Sequence, residues 1–185
     1  MSKARTSKKR NDFFDYFQRS SFAILLLSET GQPTIDEIAL WETELLHRGC
    51  QGLFSEFAYT GIIWKNNAHL GEPLARNRFS RTLTEPHQLR CTDVVFSLDN
   101  VPTHFMAVYA PTDPVRRAPF FTSLIEALPA LRYRQHLWGG DWNCVHSPEL
   151  DAAHLPVSQD HTSALLETLF NTLQAGDTFR LSGLS

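Results

Sequence analysis

The sequence predicts an α/β fold in which helices and sheets stack as a sandwich. Apolar stripes of helical period alternate along the chain with short strand-like runs. Several of those runs come in neighbouring pairs, as hairpins do. A chain of 185 residues fits one domain, and its hydrophobic content of 42% with 20% charged residues can fill a sizeable core.

The elements follow in order. Phe13, Phe14 and Phe17 share one helical face, so residues 12–19 read as a short helix. Residues 22–27 form a continuous apolar run, a buried strand. Thr34-Ile35-Asp36-Glu37 is a capping box. It opens a helix whose apolar side is Ile35, Ile38, Leu45 and Leu46, and Gly49 ends it. Residues 51–57 and 60–65 read as strands, and the polar stretch 71–78 as a surface loop. Residues 90–98 and 101–108 flank Asp99-Asn100, a pair suited to a tight hairpin because both tolerate positive φ. Phe120, Phe121, Leu124, Ile125, Leu128 and Leu131 give residues 117–131 a strong helical stripe, read as core. Residues 135–138 are the next strand. A last helix at 163–173 turns Leu165, Leu166, Leu169, Phe170 and Leu173 inward.

Bulk charge excludes little. The net charge of −3 does not advertise nucleic-acid binding. The first ten residues are nonetheless basic, with Lys3, Arg5, Lys8, Lys9 and Arg10. Residues 1–11 are read as a disordered basic tail, in preference to a phosphate-binding arm or nuclear targeting signal. Cys50, Cys91 and Cys144 are far apart and odd in number, which fits neither a disulfide framework nor zinc. The histidines lack metal-ligand spacing. No apolar run is long enough for a membrane span, so the expectation is an intracellular protein without a membrane partner, with a nuclear location open to it.

The stretch with most chemistry is Leu137-Trp138-Gly139-Gly140-Asp141-Trp142-Asn143. An apolar run delivers an acid and an amide past two glycines, which let the backbone turn sharply. Asp and Asn after glycines are also ordinary turn residues. Two further runs support a site. Residues 22–27 end in Ser28-Glu29-Thr30-Gly31, and residues 103–108 end in Tyr109-Ala110-Pro111. Phosphodiester hydrolysis needs a hard cation, an activated water and donors for the developing charge. Glu29 is an oxygen ligand suited to Mg²⁺. Asp141 can activate the water or help position the metal, while Asn143 and the Tyr109 hydroxyl can donate to phosphate oxygens.

A carboxylate, a phenol and an acid–amide pair at three strand ends, in that order, resemble the endonuclease/exonuclease/phosphatase superfamily. The chain is most similar to the endonuclease domain of LINE-type (non-LTR) retrotransposons. Thr60-Gly61-Ile62-Ile63-Trp64, Arg116-Arg117 before Phe120-Phe121, and Asp177-Thr178-Phe179-Arg180 fit the same pattern. The resemblance runs from about residue 12 to 185. It implies a four-layer α/β/β/α sandwich, a Mg²⁺ (or Mn²⁺) cofactor, DNA as partner, Glu29 at the metal, and Tyr109, Asp141 and Asn143 as catalytic residues. Asp151 has the spacing of a family residue and is read as structural. Arg116 and Arg117 are read as phosphate contacts or as capping and surface pairs.

The departures are as specific as the matches. The family's opening strand with its metal-holding Asn and its closing Ser-Asp-His segment are not in this sequence. Ser28 stands for the usual Gln, and Thr112 for the frequent Asn. The expectation is an incomplete sandwich with open sheet edges that invite association, and weak or lost DNA hydrolysis. Two other readings stand beside it: a non-catalytic remnant that binds nucleic acid or a partner, and a phosphatase of the same superfamily.

Overall fold

The structure is a computed structural model that describes residues 3–31, 33–55, 59–66, 70–133, 135–144 and 162–174. Its elements in chain order are α1 (Lys3–Arg19), β1 (Ile24–Ser28), α2 (Ile35–Leu46), β2 (Cys50–Phe54), β3 (Thr60–Lys65), β4 (Ala75–Arg76), β5 (Cys91–Leu98), β6 (Val101–Tyr109), α3 (Pro114–Ala127), β7 (Gln135–Asp141) and α4 (Thr162–Leu173). The strands make two sheets, one in the order β1-β3-β2 and one in the order β4-β5-β6-β7. Among the described residues all pairings are antiparallel except β6 with β7.

Three apolar clusters fill the three gaps between four layers. Phe14 and Phe17 of α1 and Leu45 of α2 pack with Phe54 and Ile63 on the outer face of the first sheet. Ile62 and Trp64 meet Val94, Phe96 and Phe105 between the sheets. Phe120, Phe121 and Leu124 of α3 and Leu166 and Leu169 of α4 close over Met106 and Val108 on the second sheet. Alternate residues of β3 and β6 thus enter different clusters, as the pleat requires. Both faces of each sheet are covered, so the strands read as continuous apolar runs.

Local signals set the boundaries. The capping box forms: Glu37 N–H donates to Thr34 Oγ1 at 3.2 Å, and Thr34 N–H donates to Glu37 Oε2 at 2.9 Å. Asp99 and Asn100 take positive φ of 49° and 64° and turn the β5–β6 hairpin. Asp113 caps α3 through Val115 N–H at 3.0 Å, with Pro114 in the first turn, so that helix starts before the expected residue 117. Residues 75 and 76 form a short strand on β5 inside the stretch expected to be a loop.

Two expectations are corrected. The basic stretch from Lys3 is part of α1 and not a tail. Arg10 shows what holds it: its guanidinium pairs with Glu44 at 3.0 Å and lies 5.6 Å from the Trp41 ring centre. The apolar face of α2 is Ile38, Trp41 and Leu45, while Ile35 and Leu46 are 74% and 62% exposed. The i, i+3, i+7 spacing of the first three selects that stripe over the flanking residues. The expectations at Asp151 and at residues 177–180 lie outside the described residues.

Candidate active site

β1, β6 and β7 end on the same side of the molecule, and their register brings the expected residues together. Ser28 pairs with Thr60, so Glu29 follows opposite Tyr59, whose carbonyl accepts from Glu29 N–H at 2.9 Å. Cys91 pairs with Val108, so Arg90 lies beside Tyr109. Tyr109 and Asp141 are register partners at the last step of the parallel β6–β7 ladder.

The side chains complete the cluster. The Tyr109 hydroxyl donates to Glu29 Oε1 at 2.8 Å, across the gap between the sheets. That bond, partial burial and the charges of Glu29 and Asp141 raise the phenol's pKa, against the opposing effect of Arg90. Tyr109 is therefore a proton-holding donor at neutral pH. Asp141 Oδ1 accepts from the Asn143 backbone N–H at 2.9 Å. The Asn143 side-chain amide donates to the Ala110 carbonyl at 2.7 Å, and Ala110 N–H donates to the Asp141 carbonyl at 2.8 Å. These bonds lock the turn after β7 onto the end of β6. One amide proton of Asn143 is so engaged, and the second is the one left for a ligand.

The turn itself is sterically demanding. Asn143 sits at φ 51° and Glu29 at φ 54°, both left-handed. Gly140 has φ 141°, and a Cβ there would stand 2.0 Å from the Val108 carbonyl oxygen. Only glycine lets β7 press this closely on β6 just before Asp141.

Two residues beside the site, Tyr59 and Arg90, and a buried pair away from it, Asp93 and His104, were missed by the sequence reading. Tyr59 stacks on Tyr109 with ring centres 5.8 Å apart. Arg90 lies over both rings, 5.0 Å from Tyr59 and 5.5 Å from Tyr109, and donates to the Tyr109 carbonyl at 3.2 Å. The hairpin at Asp99-Asn100 could have placed Arg90, because pairing counted back from that turn sets it opposite Tyr109. Asp93 and His104 form a buried cluster on the other face of β5 and β6. Asp93 accepts backbone N–H groups of Arg78, Phe79 and Ser80 at 3.1, 3.1 and 2.7 Å. His104 Nε2 stands 3.4 Å from Asp93, and its Nδ1 accepts from Trp138 Nε1 at 3.0 Å. Burial alone would raise the Asp93 pKa, but His104 and the Ser80 N–H outweigh it and hold the carboxyl below its usual range.

The two arginines read as phosphate contacts or caps divide. Arg117 is buried and donates to the carbonyls of Pro111, Thr112 and Asn143 and to Thr162 Oγ1. It ties α3, α4 and the Asn143 turn together. Arg116 has an 80% exposed side chain and meets Asp113 at 3.8 Å.

A hard divalent cation fits what is present. Glu29 and Asp141 each have one oxygen engaged in the bonds above and a second oxygen without a hydrogen bond among the described residues. Mg²⁺ is commonly held by one or two carboxylates and several waters. Among the described residues no three His, Cys, Asp or Glu side chains gather as a metal cluster.

The architecture is of the endonuclease/exonuclease/phosphatase type. It is shared with the crystal structure of humanized D. rerio TDP2 carrying 14 mutations, at a TM-score of 0.53 and 11% identity. The match covers 84% of this chain and 63% of that one, so this chain spans under two thirds of that protein's length. No family model and no curated protein matches the sequence.

Proposed function

We propose that this chain hydrolyses phosphodiester bonds of DNA, weakly, with the help of Mg²⁺ or Mn²⁺, at the site formed by Glu29, Tyr109, Asp141 and Asn143, and that it derives from a LINE-type endonuclease. The observation that carries the reading is the Tyr109–Glu29 hydrogen bond at 2.8 Å, with Asp141 the register partner of Tyr109. It sets a carboxylate from one sheet against an acid and a donor from the other.

Glu29 would hold the cation, which when bound would neutralise phosphate charge. Asp141 takes a proton from the attacking water through its open oxygen. The water oxygen bonds to phosphorus, and the P–O bond to the sugar breaks. The leaving alkoxide takes a proton from solvent. The remaining amide proton of Asn143 donates to a non-bridging oxygen, and Tyr109 holds Glu29 in place or shares its proton with the phosphate.

Conversion of supercoiled plasmid to nicked circles tests the reading. Cleavage should require Mg²⁺ or Mn²⁺ and stop with EDTA. Asp141→Ala should lower the rate by about 10²–10⁴, the usual contribution of a positioned base. Nicking that survives Asp141→Ala and Glu29→Ala at wild-type rate would exclude this site.

A further inference from the structure

We propose that the cleft beside Tyr109, between the segment leading into β5 and the start of α3, receives a nucleobase of the strand whose phosphodiester lies at the Glu29–Asp141 site. The inference rests on the phosphodiester reading above and assigns that site's substrate contacts.

The cleft has a volume of about 550 Å³ and is lined by Tyr59, His87, Arg90, Pro111, Val115 and Arg116, among others. That size lies within the roughly 300–1,000 Å³ of small-ligand sites. It shares a wall with the candidate active site. Tyr59 stacks on Tyr109, Arg90 bonds the Tyr109 carbonyl, and Pro111 lies two residues beyond it. Tyr59 and Arg90 thus line the cleft and also contact Tyr109 of the candidate site.

The lining chemistry selects the occupant. A nucleobase offers a π-face, which stacks on aromatic rings and guanidinium planes whatever its sequence. Tyr59 and Arg90 supply one of each, already packed together at 5.0 Å. The strand also carries anionic phosphates. Arg116 stands at the cleft on the first turn of α3 with its side chain largely exposed and its carboxylate neighbour Asp113 no nearer than 3.8 Å. No Asp or Glu lines the cleft among the described residues. Burial and the charge of Arg90 lower the His87 pKa, so this wall is neutral imidazole at pH 7.

The test separates base recognition from anion binding and from turnover. Fluorescence anisotropy of labelled single-stranded hexadeoxyadenylate is measured in EDTA, where no hydrolysis occurs. Unlabelled dAMP, deoxyribose 5-phosphate and hexaglutamate then compete. We expect dAMP to displace the strand at about tenfold lower concentration than the base-free sugar phosphate, the effect of one stacked base. Val115→Trp fills the cleft from an 80% exposed position and should weaken strand binding about tenfold. Arg116→Glu should weaken it and make it less salt-dependent.

Equal competition by dAMP and the sugar phosphate would overturn the proposal. So would equal competition by hexaglutamate, unchanged binding by Val115→Trp, or no binding by the wild-type chain. Base discrimination in a protein that does not nick plasmid would refute the hydrolysis and leave the cleft assignment standing.

Discussion

Strand β6 carries two carboxylate partners five residues apart, and they behave in opposite ways. His104 faces the helix-covered side of the second sheet and meets Asp93, where both side chains are fully buried. Tyr109 ends the same strand, faces the other sheet and meets the exposed Glu29. Asp93 has three backbone N–H groups and an imidazole around it; Glu29 has one phenol on one oxygen. A buried carboxylate is tolerated only when its oxygens are fully partnered, because desolvation is otherwise prohibitive. An exposed one with an unengaged oxygen can take a cation or a water. Saturation is therefore the mark of structure here, and the incomplete set is the mark of a site.

The largest expected effect tests the saturated member. Asp93→Ala orphans three N–H groups and a buried histidine and should cost about 3–5 kcal/mol of stability. Glu29→Ala should stay within about 0.5 kcal/mol of wild type, as exposed positions do. Urea unfolding of both variants measures the contrast. Equal losses would mean that Glu29 is as structural as Asp93.

A middle-sized effect concerns the ladder that joins the two regions. Gly140→Ala puts a methyl group against the Val108 carbonyl at a φ unfavourable to alanine. We expect a loss of about 1–3 kcal/mol, together with reduced plasmid nicking, since Asp141 follows directly. A stable protein that has lost only nicking would show that the strain is confined to the site turn.

Much of this was open to reading in the sequence, for physical reasons. Apolar period set the helices, and Asp99-Asn100 fixed the β5–β6 register. The runs ending in Glu29, Tyr109 and Asp141 pointed to a common end, where the structure gathers all three. Contacts across layers were not legible. Nothing local to Tyr109 says that its hydroxyl crosses to β1, and nothing local to Arg117 says that it is buried against the Asn143 carbonyl. Asp93 sits in the apolar run of β5, where alternation alone gives no sign that the segment 78–80 folds over to cap it. The basic start misled because charge suggests solvent, while Arg10 lies on Trp41.

Acid should separate the regions more gently. Burial lowers the pKa of His136, with His104 adding to it and a Tyr133 backbone bond opposing, and that of His87 is lowered by burial and Arg90. A lowered folded pKa favours folding above the unfolded value, about 6.5 for histidine, and that advantage is lost as pH falls. Asp93 adds a second loss below about pH 4, since its folded pKa is also lowered. Stability measured by urea midpoint should therefore decline in two steps on acidification. His136→Gln should flatten the first, and Asp93→Asn the second. A first step unchanged in both His136→Gln and His87→Gln would remove the histidines from this account.

The smallest expected effect bears on the exposed pair alone. Tyr109→Phe keeps the ring that stacks with Tyr59 and Arg90 but removes the bond to Glu29. The bond is largely exposed, so stability should change by less than about 1 kcal/mol. Activity should fall further in proportion. If Tyr109 merely orients Glu29, a higher Mg²⁺ concentration should restore most of the nicking rate, because the carboxylate is still there to be organised by the cation. If the phenol donates to the phosphate, the loss should persist at saturating Mg²⁺, at about tenfold or more for a donor to developing charge. A titration of nicking rate against Mg²⁺ for Tyr109→Phe distinguishes the two roles, and a rate equal to wild type at every concentration would leave Tyr109 as packing between Tyr59 and Arg90.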